Sequence, residues 1–211
     1  MAKRPFFFVS GTGMMVRSQN VEFEWYAGFS AAQKKRSVAS LHEEVKCLGY
    51  KPLEISTKSN ELLGAKLSAF ALKLDGVYLE NIFQSSKVFQ NGGPYMDLLQ
   101  VSPKEAKRDE RLRTSGPLKG FLYQGEMWEL KPTTAFYDWI YLQAVKESVP
   151  MEELKKLLVY TAFTDIEFNP AKSVNTQART VALLKAILLI YGQIPDWNEE
   201  EFLEFHKKHI I

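Results

Sequence analysis

Residues 67–87 read "LSAFALKLDGVYLENIFQSSK". Asp75-Gly76 between two apolar stretches is a tight hairpin signal, so the segment predicts two short strands that lead straight into a helix. If residues 80–87 are helical, Glu80, Gln84 and Lys87 fall at i, i+4 and i+7 on one face, with Phe83 beside it as a core anchor. A stripe that would normally be apolar then carries a carboxylate, an amide and an amine. A solvent-facing Glu-to-Lys pair is one reading, with about 0.2–0.5 kcal/mol per pair. A chemical site is the other, because the segment is otherwise short of charge and rich in aromatic and small residues.

Outward from this stretch, "RPFFFVS" (4–10) and "NVEFEWY" (20–26) predict strands separated by the Gly-rich turn at 11–13. A helix is expected from Ser30, with Gln33 completing a capping box and Gly49 closing it. "SNELLGAKL" predicts a short helix. Ser102, Pro103 and Glu105 mark another helix start, and "GPLKGFLYQGEMWEL" predicts a second hairpin around Gln124-Gly125. Phe136, Tyr137, Ile140, Tyr141, Ala144 and Val145 form one apolar stripe, and a further helix follows Pro150. Gln177 to Tyr191 predicts a long buried helix stopped by Gly192. The last helix starts at Asn198 with Glu199, Glu200 and Glu201 in its first turn and ends with Lys207 and Lys208, matching the macrodipole. With neither a repeat nor a low-complexity linker, the expectation is α+β: a helix-dominant single domain with a small antiparallel sheet of short hairpins.

A chain of 211 residues with 45% hydrophobic and 25% charged residues can build a substantial core, and its net charge of +2 excludes a polybasic, histone-like role while allowing a local basic patch. The single Cys47 excludes an intramolecular disulfide and a structural zinc cluster; beside Leu48 in a helical pattern it reads as a buried, inert thiol. His42, His206 and His209 show no ligand spacing, so no metal and no cofactor are expected. The apolar run in "MAKRPFFFVSGTG" is too short for a signal peptide, and "VALLKAILLIYG" is interrupted by Lys185 and too short to span a bilayer. The expectation is a cytoplasmic protein with no membrane partner.

Other constellations carry both a chemical and a bland reading. In "FTDIEFNPAKSVNTQAR" (163–179), Asp165 and Glu167 alternate with apolar residues; an extended chain points both carboxylates the same way. Alternatively they lie on a surface loop and cap the next helix, with Lys172 and Arg179 as partners. Asp138 interrupts the aromatic run of "PTTAFYDWIY", where an early helical acid also serves as a dipole partner. Lys104, Lys107, Arg108, Arg111, Arg113 and Lys119 form a basic run interleaved with Glu105, Asp109 and Glu110. A solvated helix face is the default, and a phosphate-contacting edge through Lys107, Arg108 and Arg111 is the functional alternative. "NGGPY" (91–95) lacks the P-loop Lys-Ser/Thr and is expected to follow a helix, so it is not read as a nucleotide loop.

Together these stretches resemble a family. "ENIFQSSK" after a hairpin is similar to the "EHYFQAxK" signature of the NADAR (YbiA-like) N-glycosidases, "YAGFS" (26–30) to an upstream Y-G-x-F-S segment, and residues 167–175 to a late acidic, Asn-containing motif. The long runs "FQSSKVFQNGGPY", "KPTTAFYDWIYLQAV" and "TDIEFNPAKSVNTQAR", with "VEFEWYAGFSAAQKKRSVASLHE", extend the resemblance over nearly the whole chain and place it nearest the branch encoded beside DarT toxins. The chain departs from the wider family at Asn81-Ile82, where His-Tyr is usual, and at "NPAKSVNTQAR", which replaces a Trp-Gly-rich loop.

The resemblance implies an antitoxin glycohydrolase that removes ADP-ribose from guanine in ADP-ribosylated DNA, releases ADP-ribose and reverses a cognate DarT-type toxin. Cleavage of an N-glycoside passes through an oxocarbenium-like state, needs a proton on the departing nitrogen, and lets an amine hold the opened sugar as a Schiff base. Glu80 is then the general acid/base and Lys87 the nucleophile or electrostatic partner, its pKa lowered by burial beside aromatics. Gln84 is expected to orient sugar hydroxyls, Glu167 and Asn175 to contact ribose or pyrophosphate, and Trp128 or Tyr137 to stack. Tyr26, Ser30 and Asp138 complete the candidate substrate-binding set. Two alternatives belong to other classes: a non-catalytic antitoxin that binds its toxin one to one, and an N-glycosidase of a small nucleotide metabolite.

Overall fold

The computed structural model describes residues 1–210 apart from 29 and 172. In chain order, strands β1 (Ala2–Ser10) and β2 (Met15–Phe23) precede helix α1 (Ala31–Cys47), strand β3 (Pro52–Glu54) and helix α2 (Leu62–Lys66). Strands β4 (Lys73–Leu74) and β5 (Val77–Tyr78) lead into α3 (Leu79–Ser85), followed by β6 (Lys87–Phe89) and a 310 turn at Met96–Gln100. Helices α4 (Pro103–Arg108) and α5 (Arg111–Thr114) come next, then β7 (Leu118–Tyr123), β8 (Glu126–Trp128) and α6 (Ala135–Ser148). Helix α7 (Met151–Leu154), a 310 turn at Lys155–Val159, β9 (Ala162–Thr164), α8 (Gln177–Tyr191) and α9 (Glu199–His209) complete the chain. The fold class is α+β, as the sequence predicts.

The chain forms two compact units, residues 1–68 with 149–211, and residues 69–148. In the first, β1 and β2 pair antiparallel from Ala2↔Phe23 to Ser10↔Met15. The second strand therefore starts earlier than "NVEFEWY" suggested and stops at Phe23. Beyond it, the amides of Glu24 and Tyr26 donate to the Ser40 and Ser37 hydroxyls of α1, 3.1 and 3.0 Å away, instead of to a strand. The sheet order is β2-β1-β9-β3, and β3 pairs parallel with β9. This parallel pair corrects the expectation of hairpins alone: its strands are distant in sequence, and no turn chemistry announces them.

The core of this unit gathers Phe6, Val21, Phe23, Val38, Leu41, Val45, Ala162 and Ile166. The predicted capping box, Ser30 with Gln33, is present at the start of α1. Helix α8 packs on β1 and stops at Gly192, whose φ of 72° satisfies the last turn. Asn198 and Glu201 cap α9 reciprocally. Cys47 is a correction: it is exposed, because the buried stripe of α1 runs through Val38, Leu41 and Val45 and leaves it off the core face.

In the second unit the Asp75-Gly76 turn forms as predicted, with φ of 52° and 76° at the two residues, the left-handed pair that a two-residue hairpin needs. Gln124-Gly125 repeats the device between β7 and β8 with φ of 50° and 87°. Strands β6, β7 and β8 make one antiparallel sheet. Behind it, Phe121 and Phe136 stack at 4.6 Å and Phe83 and Phe121 at 5.5 Å, so α3 and α6 share one aromatic core. Every residue of α3 is buried.

Candidate active site

Helix α3 ends at Ser85, and this corrects the eight-residue helical stripe. Ser85 and Ser86 hydroxyls donate to the Ile82 carbonyl at 3.1 and 2.7 Å, competing with helix continuation, and Lys87 enters β6 opposite Phe121. "NGGPY" accordingly follows a strand, not a helix. The three polar groups still converge, now from two elements. Gln84 Nε2 donates to Glu80 Oε1 at 2.7 Å, and Lys87 Nζ donates to Gln84 Oε1 at 2.7 Å. The amide is thus held between carboxylate and ammonium in the one orientation that satisfies both.

Glu80 is 4% exposed and Gln84 5%, so solvent screens the chain weakly. Lys87 Nζ lies 4.8 Å from the Phe83 ring centroid. Burial pushes the Lys87 amine down to about 8, opposed by the Glu80 charge and assisted by Lys107. This is the direction the sequence predicts, and it leaves a sizeable neutral fraction near neutral pH. On the other side, Lys107 Nζ is 3.5 Å from Glu80 Oε2.

The neighbouring predicted residues have different surroundings. Asp138 is fully buried and accepts from Thr134 Oγ1 at 2.9 Å. Tyr137 and Trp128 are buried in the aromatic core, Tyr137 edge-on to Phe83 at 5.1 Å and Trp128 at 5.6 Å from Phe136. Arg111 is bound by Asp97 at 2.6 Å and Asp109 at 2.9 Å and lies over Tyr95 at 4.4 Å, so two carboxylates already neutralise its charge. Those contacts hold both acids below the usual carboxylate range. Arg108 is exposed on the last turn of α4.

Four predicted residues belong to the other unit. The Tyr26 hydroxyl donates to Glu24 at 2.7 Å beneath the Arg36 guanidinium, and Ser30 caps α1. Glu167 is exposed and pairs with Lys34 at 2.8 Å. Lys172, one of its expected partners, lies outside the described residues. Among the described residues, Asn175 Oδ1 is buried without a hydrogen-bond partner. Because β9 ends at Thr164, Asp165 and Glu167 do not share a strand face: Asp165 turns inward and accepts from Thr176, the N-cap residue of α8, at 3.3 Å.

Sequence reasoning missed Glu54. It is 1% exposed and accepts from Ser56 Oγ and Thr164 Oγ1 at 2.6 Å each and from the Ile166 amide at 2.9 Å. Thr164 gives its hydrogen to Glu54 and so receives His42 Nε2 at 2.9 Å as a donor. Burial raises the pKa of Glu54, and it raises Asp165 to about 7 with help from the Glu54 charge. The available signal was an acid placed between Leu53 and Ile55 in a short apolar run.

Gly93 fixes the backbone beside Lys87. Its φ is 84°, and a Cβ there would collide with the Lys87 carbonyl oxygen. Gly93→Ala is therefore expected to destabilise the protein by about 1–3 kcal/mol and to reduce activity by displacing β6. Thermal unfolding and turnover, measured on the same preparation, check this.

A buried acid and a lysine of lowered pKa, bridged by an amide on a helix–strand junction, make this an α+β protein with an acid–amine site. The chain matches the family described as DarT1-associated NADAR antitoxin over residues 2–211 and belongs to that family. No curated protein matches it. Among the described residues, no helix is long and apolar enough to cross a membrane.

Proposed function

We propose that this antitoxin is an N-glycosidase that removes ADP-ribose from guanine bases of DNA and so reverses the modification made by its DarT1-type toxin. The hydrogen-bonded series Glu80–Gln84–Lys87 carries this reading. Glu80 protonates the guanine amino nitrogen as its bond to the anomeric carbon breaks, and the bonding pair leaves with the base. The neutral Lys87 amine bonds to the anomeric carbon and gives a proton to the Glu80 carboxylate. Glu80 passes that proton to the ring oxygen as the C1′–O4′ bond breaks, leaving the opened sugar as a protonated imine, which water hydrolyses to free ADP-ribose and the amine. Gln84 positions both groups with one N–H and one lone pair and keeps a second N–H and a second lone pair for a sugar hydroxyl.

An oligonucleotide carrying ADP-ribosyl-guanine, incubated with the protein and weighed by mass spectrometry, tests the proposal. The expected product is unmodified guanine, with many bases restored per protein molecule. Neutralisation of the toxin with no restored base would assign the antitoxin role to binding.

Only the neutral amine is nucleophilic, so the rate at which an amine-directed reagent modifies Lys87 in the free protein, read by mass spectrometry, is expected to rise with pH on the approach to about 8, where Lys87 titrates. Stopped-time assays from about pH 6.5 to about 9 check this. A Lys87 modification rate independent of pH over that range would show that this amine does not titrate in the window.

A further inference from the structure

Lys107 stands in the last turn of α4. Its ammonium is 3.5 Å from Glu80 Oε2 and 5.0 Å from the Phe70 ring centroid, and its side chain is 55% exposed. The ammonium is half exposed and its contact with Oε2 is long for a hydrogen bond, whereas Glu80 is buried and tied to Gln84. Glu80 Oε1 is occupied by Gln84, so Lys107 covers the other oxygen. A ligand group that approaches Oε2 along the direction Lys107 now uses takes its place, and a flat group on Phe70 displaces it from the ring as well. A lysine stem has the freedom to swing while keeping its charge.

Elements packed against α3 offer few other charges to receive it. Asp97 and Asp109 are held by Arg111, Glu105 caps α4 through Ser102, and Asp138 accepts from Thr134. Lys104 and Arg108, also on α4, are exposed cations. Two ammonium groups, Lys87 and Lys107, thus face one carboxylate, and a displaced Lys107 turns to water or to an anion that the ligand brings.

We propose that Lys107 is a positioning residue that holds Oε2 of Glu80, yields it to the entering ligand, and then pairs with an anionic group of that ligand. The site accordingly selects N-glycosides that carry phosphate over neutral ones; this part rests on the N-glycosidase reading. It replaces the expectation that Lys107 tracks the DNA backbone.

Two variants test it, Lys107→Met, which keeps a flexible stem over Phe70, and Lys107→Arg, which restores the charge. The first readout needs no substrate: Lys87 is titrated by NMR of its side-chain ammonium. Lys107→Met removes a like charge and should move the midpoint up from about 8 by about half a pH unit or more, while Lys107→Arg stays near the wild type. An unmoved midpoint in Lys107→Met overturns the positioning role. The second readout compares kcat/KM on N-ribosyl-guanine bearing a pyrophosphate with that on its neutral counterpart. The wild type should prefer the charged substrate, and Lys107→Met should lose about 10-fold of that preference through KM. A preserved preference overturns the selection. A wild type inert on both substrates and on the ADP-ribosylated oligonucleotide sinks the glycosidase reading instead, and the Lys87 titration still decides the role of Lys107. Inert on the two small substrates but active on the oligonucleotide, the protein overturns the selection.

Discussion

Lys87→Ala is expected to fold normally and to lose turnover of ADP-ribosylated DNA by about 100-fold or more, the scale of a positioned acid–base or nucleophilic group. Glu80→Gln should lose a similar factor while still binding substrate, because the amide keeps shape and hydrogen bonding and removes the titratable proton. Borohydride added during turnover should trap a covalent adduct on the wild type and none on Lys87→Ala. The bland alternative, a Glu–Lys pair with no chemistry, predicts near-wild-type rates for both variants and no adduct. A folded Lys87→Ala protein with normal turnover removes Lys87 from the mechanism. Circular dichroism and urea unfolding on each variant separate lost chemistry from lost fold.

Glu54→Ala should give a large loss of stability, about 3 kcal/mol or more by urea unfolding, because the Ile166 amide and the Ser56 and Thr164 hydroxyls lose their shared buried acceptor. The same cluster sets a pH dependence. Asp165 titrates near 7 in the fold against an ordinary value of 3.8, so the folded state keeps a proton that the unfolded chain releases. Its favourable contribution is full below about pH 4 and is lost as pH rises through about 7; Glu54 acts in the same direction. His42 acts in the opposite one. Burial, with Lys46 nearby, lowers its pKa from 6.5 to about 4, so its contribution is present above about 6.5 and is lost as pH falls toward 4. Asp165→Asn should therefore be most destabilising at low pH, with its deficit shrinking as pH rises from about 4 to about 7. A deficit independent of pH would show that Asp165 does not titrate in that window.

Local chemistry was legible wherever a few adjacent residues decide the outcome. The Asp75-Gly76 and Gln124-Gly125 turns, the helix starts at Ser30, Ser102 and Asn198, and the stop at Gly192 depend on backbone angles and hydrogen bonds within about five residues, and all form where they are written. The acid, amide and amine at 80, 84 and 87 were also legible as a group, although the spacing argument assumed a helix that Ser85 and Ser86 bring to an end. Their convergence survives because a lysine stem is long enough to reach Gln84 from the next strand.

Contacts between distant segments were decided only by the tertiary structure. The parallel pairing of β3 with β9 brings Glu54 to Thr164 and Ile166, about a hundred residues on, and no local pattern encodes that pairing. The pairing of Glu167 with Lys34 and of Arg111 with Asp97 likewise depends on which loops approach. Sequence spacing supplied the inventory of charges in the basic run. Packing decided that Arg111 is neutralised and that Lys107 faces Glu80, because a charge acts through the distance and burial of its partner, which only the folded chain defines.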